Sequence, residues 1–266
     1  GYTYNVSLKL EKSFNFGLDV MAAYTYGESK SINSATSSVA YSNWRYNETT
    51  GNSNAPELSV SDYSIPHRIV ASLSYGKEYA KRFKSTVSLV YTGQSGAPYN
   101  VTYYGDLNGD GSNGNDLVFI PTDEQIDAMQ FKATAKLDAD QQKADLKAFL
   151  GSAKYLKDHR GEYYERNSDR MSFEHHFDFR FLQDFKFRVA KETHTLQFSV
   201  DIMNVGNLLN RKWGLESYMS NNSYSPITYS KGGEFQYTQG DKYDPFKEIS
   251  NISSRWRCQL GLRYIF

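Results

Sequence analysis

From Trp256 to the last residue, Phe266, an apolar side chain stands at every second position. Trp256, Cys258, Leu260, Leu262, Tyr264 and Phe266 fall on one side, with Arg257, Gln259, Gly261 and Arg263 on the other. A period of two means an extended strand with one apolar and one wet face. Strands of soluble proteins commonly run about 5 to 6 residues, whereas a tilted strand that crosses a bilayer needs about 9 to 11. In water, so long an apolar edge would invite aggregation. In a closed barrel inside a membrane the last strand pairs with the first, and the edge disappears.

The same period returns upstream. Tyr2, Tyr4, Val6, Leu8 and Leu10 share one face, and after a reversal at "EKSFNFG" so do Leu18, Val20, Ala22, Tyr24 and Tyr26. Ile69, Ala71, Leu73 and Tyr75 lead through "GKEYAKRF" into Val87, Leu89 and Tyr91. Phe173, His175, Phe177, Phe179 and Phe181 lead through "RVAKETH" into Leu196, Phe198, Val200 and Ile202. Between these hairpins lie long polar stretches without periodicity, from about residue 28 to 62, 93 to 171 and 207 to 253. Short and long connections in strict alternation are the mark of an outer-membrane barrel, with tight periplasmic turns and extended extracellular loops.

The opposite faces carry Lys9, Asp19, Arg68, Lys84, Glu174, Asp178, Arg180, Asp201, Arg255, Arg257 and Arg263. Such a face suits a hydrated or plugged lumen, since Lys or Arg facing lipid at midplane costs about 2 to 4 kcal/mol. A soluble antiparallel sheet with one wet face would explain neither the strand lengths nor the rhythm of the loops. The pattern predicts an all-β fold: a transmembrane antiparallel β-barrel of which seven strands are present, with long extracellular loops. Seven is odd, bacterial single-chain barrels are even, and Gly1 already stands at the start of an alternating run. Residues 1–266 are therefore expected to be the C-terminal part of a longer polypeptide.

Composition agrees. A mean hydropathy of −0.65 and the lack of a long apolar run exclude a helical membrane span but not a barrel, whose strands dilute apolar residues with polar ones. The 22 Tyr and 16 Phe suit strands and interfacial girdles. With 30 basic and 30 acidic side chains, no net field points to nucleic acid. Cys258 is the sole cysteine, which excludes an internal disulfide and a thiolate cluster; on the apolar face it is expected to serve packing.

Within the second long stretch, "DLNGDG" matches the start of a calcium loop: Asp106, Asn108 and Asp110 at every second position, then Gly111 for the sharp turn. Ser112 would offer its backbone carbonyl and Asp116 a carboxylate, while Leu117 stands where a bidentate Glu is expected. The alternative is a metal-free turn stabilised by Asx and Gly geometry. Downstream, Thr122 with Gln125 and Asp138 with Gln141 read as helix starts, and Leu146, Phe149, Leu150 and Ala153 recur at helical spacing. One loop is thus expected to carry short helices, shaping a binding mouth or packing on neighbouring loops. Tyr41, Trp44, Tyr46, Tyr218, Tyr224, Tyr229, Phe235 and Tyr237 read as exposed loop aromatics, able to stack on a ligand or to pack. His175 and His176 point to opposite sides of one strand, His67, His159 and His194 are isolated, and no hydrolase, zinc-protease or phosphate-loop motif occurs, so no enzyme is expected.

Three stretches, "GDLNGDGSNGNDLVFIP", "FSVDIMNVGNLLNRKWG" and "SRWRCQLGLRYIF", together resemble the C-terminal barrel region of TonB-dependent outer-membrane receptors, most closely the Oar-like branch. The resemblance implies a barrel of about 22 strands, these being the last seven. It implies an N-terminal plug, a short box that contacts TonB, and import driven by the proton-motive force, all encoded upstream. The series Cys258, Leu260, Leu262, Tyr264 and Phe266 is similar to the signal recognised by the barrel-assembly machinery. Expected partners are outer-membrane lipid, that machinery, TonB and, as in related glycan importers, a surface lipoprotein. The rival expectation is a small non-transporting barrel, an adhesin or structural anchor.

Overall fold

The computed structural model describes residues 1–219, 222–229, 233–237, 247–248 and 252–266. The chain opens with β1 (Tyr2–Ser13), β2 (Leu18–Ser31), α1 (Ala40–Arg45), β3 (Ser59–Val60), β4 (His67–Tyr79) and β5 (Phe83–Gln94). There follow β6 (Pro98–Tyr104), β7 (Phe119–Ile120), α2 (Asp123–Ala128), α3 (Ala139–Ser152), α4 (Lys154–Asp158), β8 (Glu162–Tyr163) and β9 (Asp169–Arg170). The last part holds β10 (Glu174–Val189), β11 (Glu192–Met203), α5 (Val205–Leu209), β12 (Ser217–Tyr218), β13 (Ser223–Tyr229), β14 (Phe235–Tyr237), β15 (Lys247–Glu248) and β16 (Arg257–Ile265).

The seven expected strands form one antiparallel sheet in the order β1-β2-β4-β5-β10-β11-β16, with β3 paired to the end of β2. β1 and β16 are its two edges. The turns at one end are tight. Gly17, at φ +93°, closes the first with a bond from its N–H to the Phe14 carbonyl, a conformation that a Cβ would strain. Ala80, Lys81 and Ala190 take the left-handed backbone that hairpin turns of primed type require.

Register places every apolar series on one face. Leu73, Leu89, Phe179, Ile202 and Cys258 lie side by side across β4, β5, β10, β11 and β16. Tyr75, Val87, Phe181, Val200 and Leu260 make the next row. These side chains are not covered by protein: Leu8 is 64% and Leu262 72% exposed. Charges on this face sit near the strand ends, Glu28 and Lys30 beside the long loops, Lys12 and Lys77 beside the turns. Aromatic rings flank the aliphatic middle. At the turn end Tyr79, Phe83, Phe185, Phe187, His194, Tyr264 and Phe266 run as a chain of neighbours with ring centroids 5.2–5.9 Å apart. At the loop end Tyr24 and Tyr91 donate to, or accept from, Nδ1 of His67 and His175 at 2.8 Å. An aliphatic band between two aromatic belts is what a bilayer with polar interfaces selects.

The other face is wet. Ser74 and Ser88 share a hydrogen bond of 2.9 Å, Arg180 pairs with Asp201 at 2.5 Å, and Lys186 with Glu78 at 2.6 Å. The sheet therefore has no hydrophobic core of its own. Cys258 is exposed on the apolar face, so its packing partner is lipid rather than protein.

The core lies in the long loops instead, where the strand period is absent and only the helical spacing of residues 146–153 is legible. A second sheet, β14-β13-β6-β9, joins residues from the second and third loops, with β6 and β13 parallel. Tyr99, Val101 and Tyr103 on β6, Ile227 on β13 and Leu146, Leu150 and Leu156 on the helices are buried together. α2 begins with the expected capping box between Thr122 and Gln125, and the Asp138 carboxylate caps α3 by accepting from the Gln141 N–H at 2.8 Å. The apolar helix face packs inward: the Phe149 ring meets Tyr224 edge-on at 5.2 Å and Tyr237 at 6.1 Å. Two expectations are corrected here. Tyr224 and Tyr237 are not exposed but buried, at 6% and 2%, because β13 and β14 turn them onto α3. Helices are not confined to one loop, since α1 lies in the first and α5 in the third.

Candidate functional site

β6 separates two environments. Its odd-numbered side chains enter the core, while Asn100 and Thr102 face polar partners: Asn100 bonds Asn167 through both ends of its amide, and Thr102 Oγ1 lies 2.7 Å from Ser225 Oγ. On that polar side the three long loops enclose a cavity of about 720 Å³, lined by Arg45, Glu48 and Asp62 from the first loop, Asn100 and Tyr104 from the second and Ser223 from the third, among others. Its wall is richer in amides, hydroxyls and charges than ligand sites in general, which are mostly apolar. Tyr46 and Tyr104, both on the wall, are 64% and 67% exposed and offer flat, amphipathic faces.

The wall is held by bonds between loops. Ser223 Oγ donates to the Glu48 carboxylate at 2.8 Å. Burial pushes the Glu48 carboxyl above the ordinary glutamate range, outweighing the bonds it accepts from its own N–H and from Ser223. The Arg45 guanidinium lies over the Tyr46 ring, 5.5 Å from its centroid.

A strap formed by residues 166–170 fastens the loop domain to the membrane sheet. Arg166 donates to the carbonyls of Ser31 at 2.5 Å and Ile32 at 2.9 Å, where β2 ends, and to Asn47 Oδ1. Asn167 donates to the Val60 carbonyl at 2.9 Å and to Asp62 at 2.6 Å, and Arg170 donates to the Ser64 carbonyl at 2.7 Å. Desolvation lowers the affinity of both guanidinium groups for their protons, and for Arg166 the charges of Glu48 and Asp62 act in the opposite sense. No sequence motif marks Glu48, Arg166 or Asn167; the polar cluster "RNSDR" is the only hint, and the loop fold gives it meaning.

The residues that flank the "DLNGDG" segment, Gly105 before it and 113–115 after it, line one end of the cavity. Asp106 accepts from the N–H groups of Gly109, Asp110 and Gly111 at 2.7, 3.1 and 2.9 Å, winding the loop around its carboxylate. Asp110 accepts from Ser53 Oγ at 2.6 Å and the Ser112 N–H at 2.8 Å; burial raises its pKa, but these bonds and those from Asn115 and Asn108 leave it lowered. Ser112, fully buried, donates to the Arg45 carbonyl at 2.8 Å. Asp116 accepts from the Leu107 N–H at 2.7 Å, and burial, reinforced by the charges of Asp110 and Asp106, raises its carboxyl. Among the described residues no three His, Cys, Asp or Glu side chains converge as a metal cluster.

The remaining expected residues lie elsewhere. Leu260, Leu262, Tyr264 and Phe266 stand with Cys258 on the lipid face of β16, 66%, 72%, 51% and 86% exposed respectively, and Tyr264 Oη is 2.6 Å from His194 Nδ1. His175 and His176 do diverge, His175 towards Tyr91 and His176 towards Glu216 at 3.9 Å. Part of the third loop falls on residues outside the described set.

A family model described as an outer membrane beta barrel domain matches residues 3–238, from β1 through β14. No curated protein and no solved structure matches the chain. Lipid-facing rows between aromatic belts, tight turns at one end and folded loops at the other agree with that match. The chain belongs to the outer membrane beta barrel domain family, integral to the outer membrane of Gram-negative bacteria.

Proposed function

We propose that this chain is the C-terminal part of the barrel of a TonB-dependent transporter, similar to the Oar-like branch, and that its loops capture a polar solute for import. The observation that carries the reading is the cavity of about 720 Å³ at the outer end of a membrane sheet, built by a loop domain with its own core. A structural anchor needs no such chamber. A second support is the pair of sheet edges, β1 and β16. Unpaired backbone groups in hydrocarbon each cost several kcal/mol, so both strands need partners, and the upstream strands of a larger barrel supply them. Cys258, Leu260, Leu262, Tyr264 and Phe266 then serve as the assembly signal on the closing strand, and TonB acts through a region upstream of Gly1.

The test is to isolate the native polypeptide from outer membranes, measure its intact mass under denaturing conditions, and cross-link it in cells to TonB. A mass far above 30.4 kDa, with cross-links lost when the proton-motive force is collapsed, supports transport. A mass near 30.4 kDa without TonB cross-links overturns it in favour of a small barrel.

A further inference from the structure

Two buried oxygens, one on the cavity-lining Asn115 and one on Asp116 next to it, have no partner. Asp116 is 3% and Asn115 1% exposed, and neither Asp116 Oδ1 nor Asn115 Oδ1 meets a hydrogen-bond donor. Leaving such an acceptor unmet is costly, and more so for a charged group. Both residues adjoin the same loop. The second oxygen of Asp116 accepts from the N–H groups of Leu107 and Asn108, so its carboxylate is turned into the loop that Asp106 opens. The amide NH2 of Asn115 donates to Asp110 Oδ2 and to Ser53 Oγ, each at 3.2 Å, so the residue lies beside the same loop. None of the ion pairs among the described residues involves Asp106, Asp110 or Asp116. Three carboxylates, two orphaned oxygens and no cationic side chain in partnership form a site that lacks a positive charge.

We infer that the loop from Asp106 to Asp116 binds a calcium ion, with Asp106, Asn108, Asp110 and Asp116 as side-chain ligands, the Ser112 carbonyl completing the turn and Asn115 beside them. Calcium takes 6 to 8 oxygens from carboxylates, amides, main-chain carbonyls and water, so a cluster of carboxylates alone is not required. Nitrogen and sulfur ligands are absent from the set, which disfavours zinc and copper. The ion would do more than fill the loop. Asp110 is bonded to Ser53, Asn108 to the Gly51 carbonyl and Ser112 to the Arg45 carbonyl. Thr49 and Asn115, and Leu117 and Thr49, are joined by backbone bonds of 2.9 Å. Fixing residues 106–116 therefore fixes residues 45–53, and with them two sides of the cavity.

The site stands on the loop residues and does not depend on the transport reading. The experiment is a titration of the intact protein in detergent with terbium, a luminescent calcium analogue that Tyr104 on the adjoining wall can sensitise, followed by competition with calcium and with magnesium. Expected are a saturable terbium signal displaced by calcium in preference to magnesium, and higher melting of the loop domain in calcium than in chelator. Asp116→Asn should weaken calcium at least ten-fold, while Asp19→Asn, on the sheet, leaves affinity unchanged. Absence of a saturable signal in the unaltered protein, with equal melting in calcium and chelator, overturns the site and assigns the orphaned oxygens to buried water. Undiminished affinity in a folded Asp116→Asn protein overturns the ligand set.

Discussion

Replacing Leu89 by Arg is the sharpest test of which face meets lipid. Leu89 is the seventh residue of β5, which runs from Phe83 to Gln94, and stands in a row with Leu73 and Phe179. At about 3.3 Å per residue and a tilt of about 40°, β5 rises roughly 30 Å, and Leu89 falls about 15 Å above its turn end, at the centre of the apolar band. Arg there should cost about 2 to 4 kcal/mol, roughly a 30- to 1,000-fold shift in the folding equilibrium. Val90, one residue further, points the opposite way and lies across from Asp178. Val90→Arg places its charge on the wet face near a carboxylate and should cost less than about 1 kcal/mol. The measurement is urea unfolding of the intact protein in lipid vesicles, followed by the loss of its heat-modifiable folded band. Equal destabilisation by the two variants, or a larger effect at Val90, would refute the assignment of faces.

Leu146→Ala removes a fully buried side chain from the loop core and should cost about 2 to 5 kcal/mol there; protease nicking in loops should rise while the sheet keeps its heat-modifiable band. The raised pKa of Glu48 means that the folded loops hold its proton more tightly than the unfolded chain does. Its contribution is whole below the ordinary glutamate range and is lost as pH rises through the raised folded value, so melting in chelator should fall with pH across that window, and Glu48→Gln should flatten the fall. Phe266→Ser should lower the amount of protein assembled in the outer membrane several-fold, whereas Phe266→Tyr, which keeps a terminal aromatic ring, should not; equal assembly of the two variants, measured as heat-modifiable protein in outer-membrane fractions, would remove Phe266 from the assembly signal.

The sheet was legible because lipid imposes a rule on single residues. In the middle of β10 the side chains that meet lipid are apolar whatever their neighbours are, and Phe177, Phe179 and Phe181 show it in the bare sequence, with polar His175 and Gln183 on either side of them. The loop domain obeys no such local rule. β6, "PYNVTYY", alternates over too short a span to stand out, and its parallel partner β13 lies more than a hundred residues away. Tyr224 and Tyr237 look like Tyr41 or Tyr46 in sequence, yet the first two are core and the others are exposed. The helix starts were readable, since Thr122 with Gln125 and Asp138 with Gln141 act within one turn. The strap of Arg166, Asn167 and Arg170 was not, because most of its acceptors are main-chain carbonyls, which every residue carries.

This division bears on how the cavity is held. A sheet solvated by lipid on one face and water on the other has no interior with which to grip its loops, so the loop domain must be rigid by itself and joined at few points. The joints are Arg166 on the end of β2 and Arg170 on the residues that lead into β4 and out of β5. Each guanidinium gives up hydration and receives carbonyl oxygens, and for Arg166 the carboxylates of Glu48 and Asp62 reduce the cost. Glu48 and Asp62 are also cavity wall. Groups that line the cavity are thus the ones that neutralise the joint to the membrane sheet. A ligand that draws on either carboxylate alters the electrostatic support of Arg166, and through it the tie between the loop domain and β2.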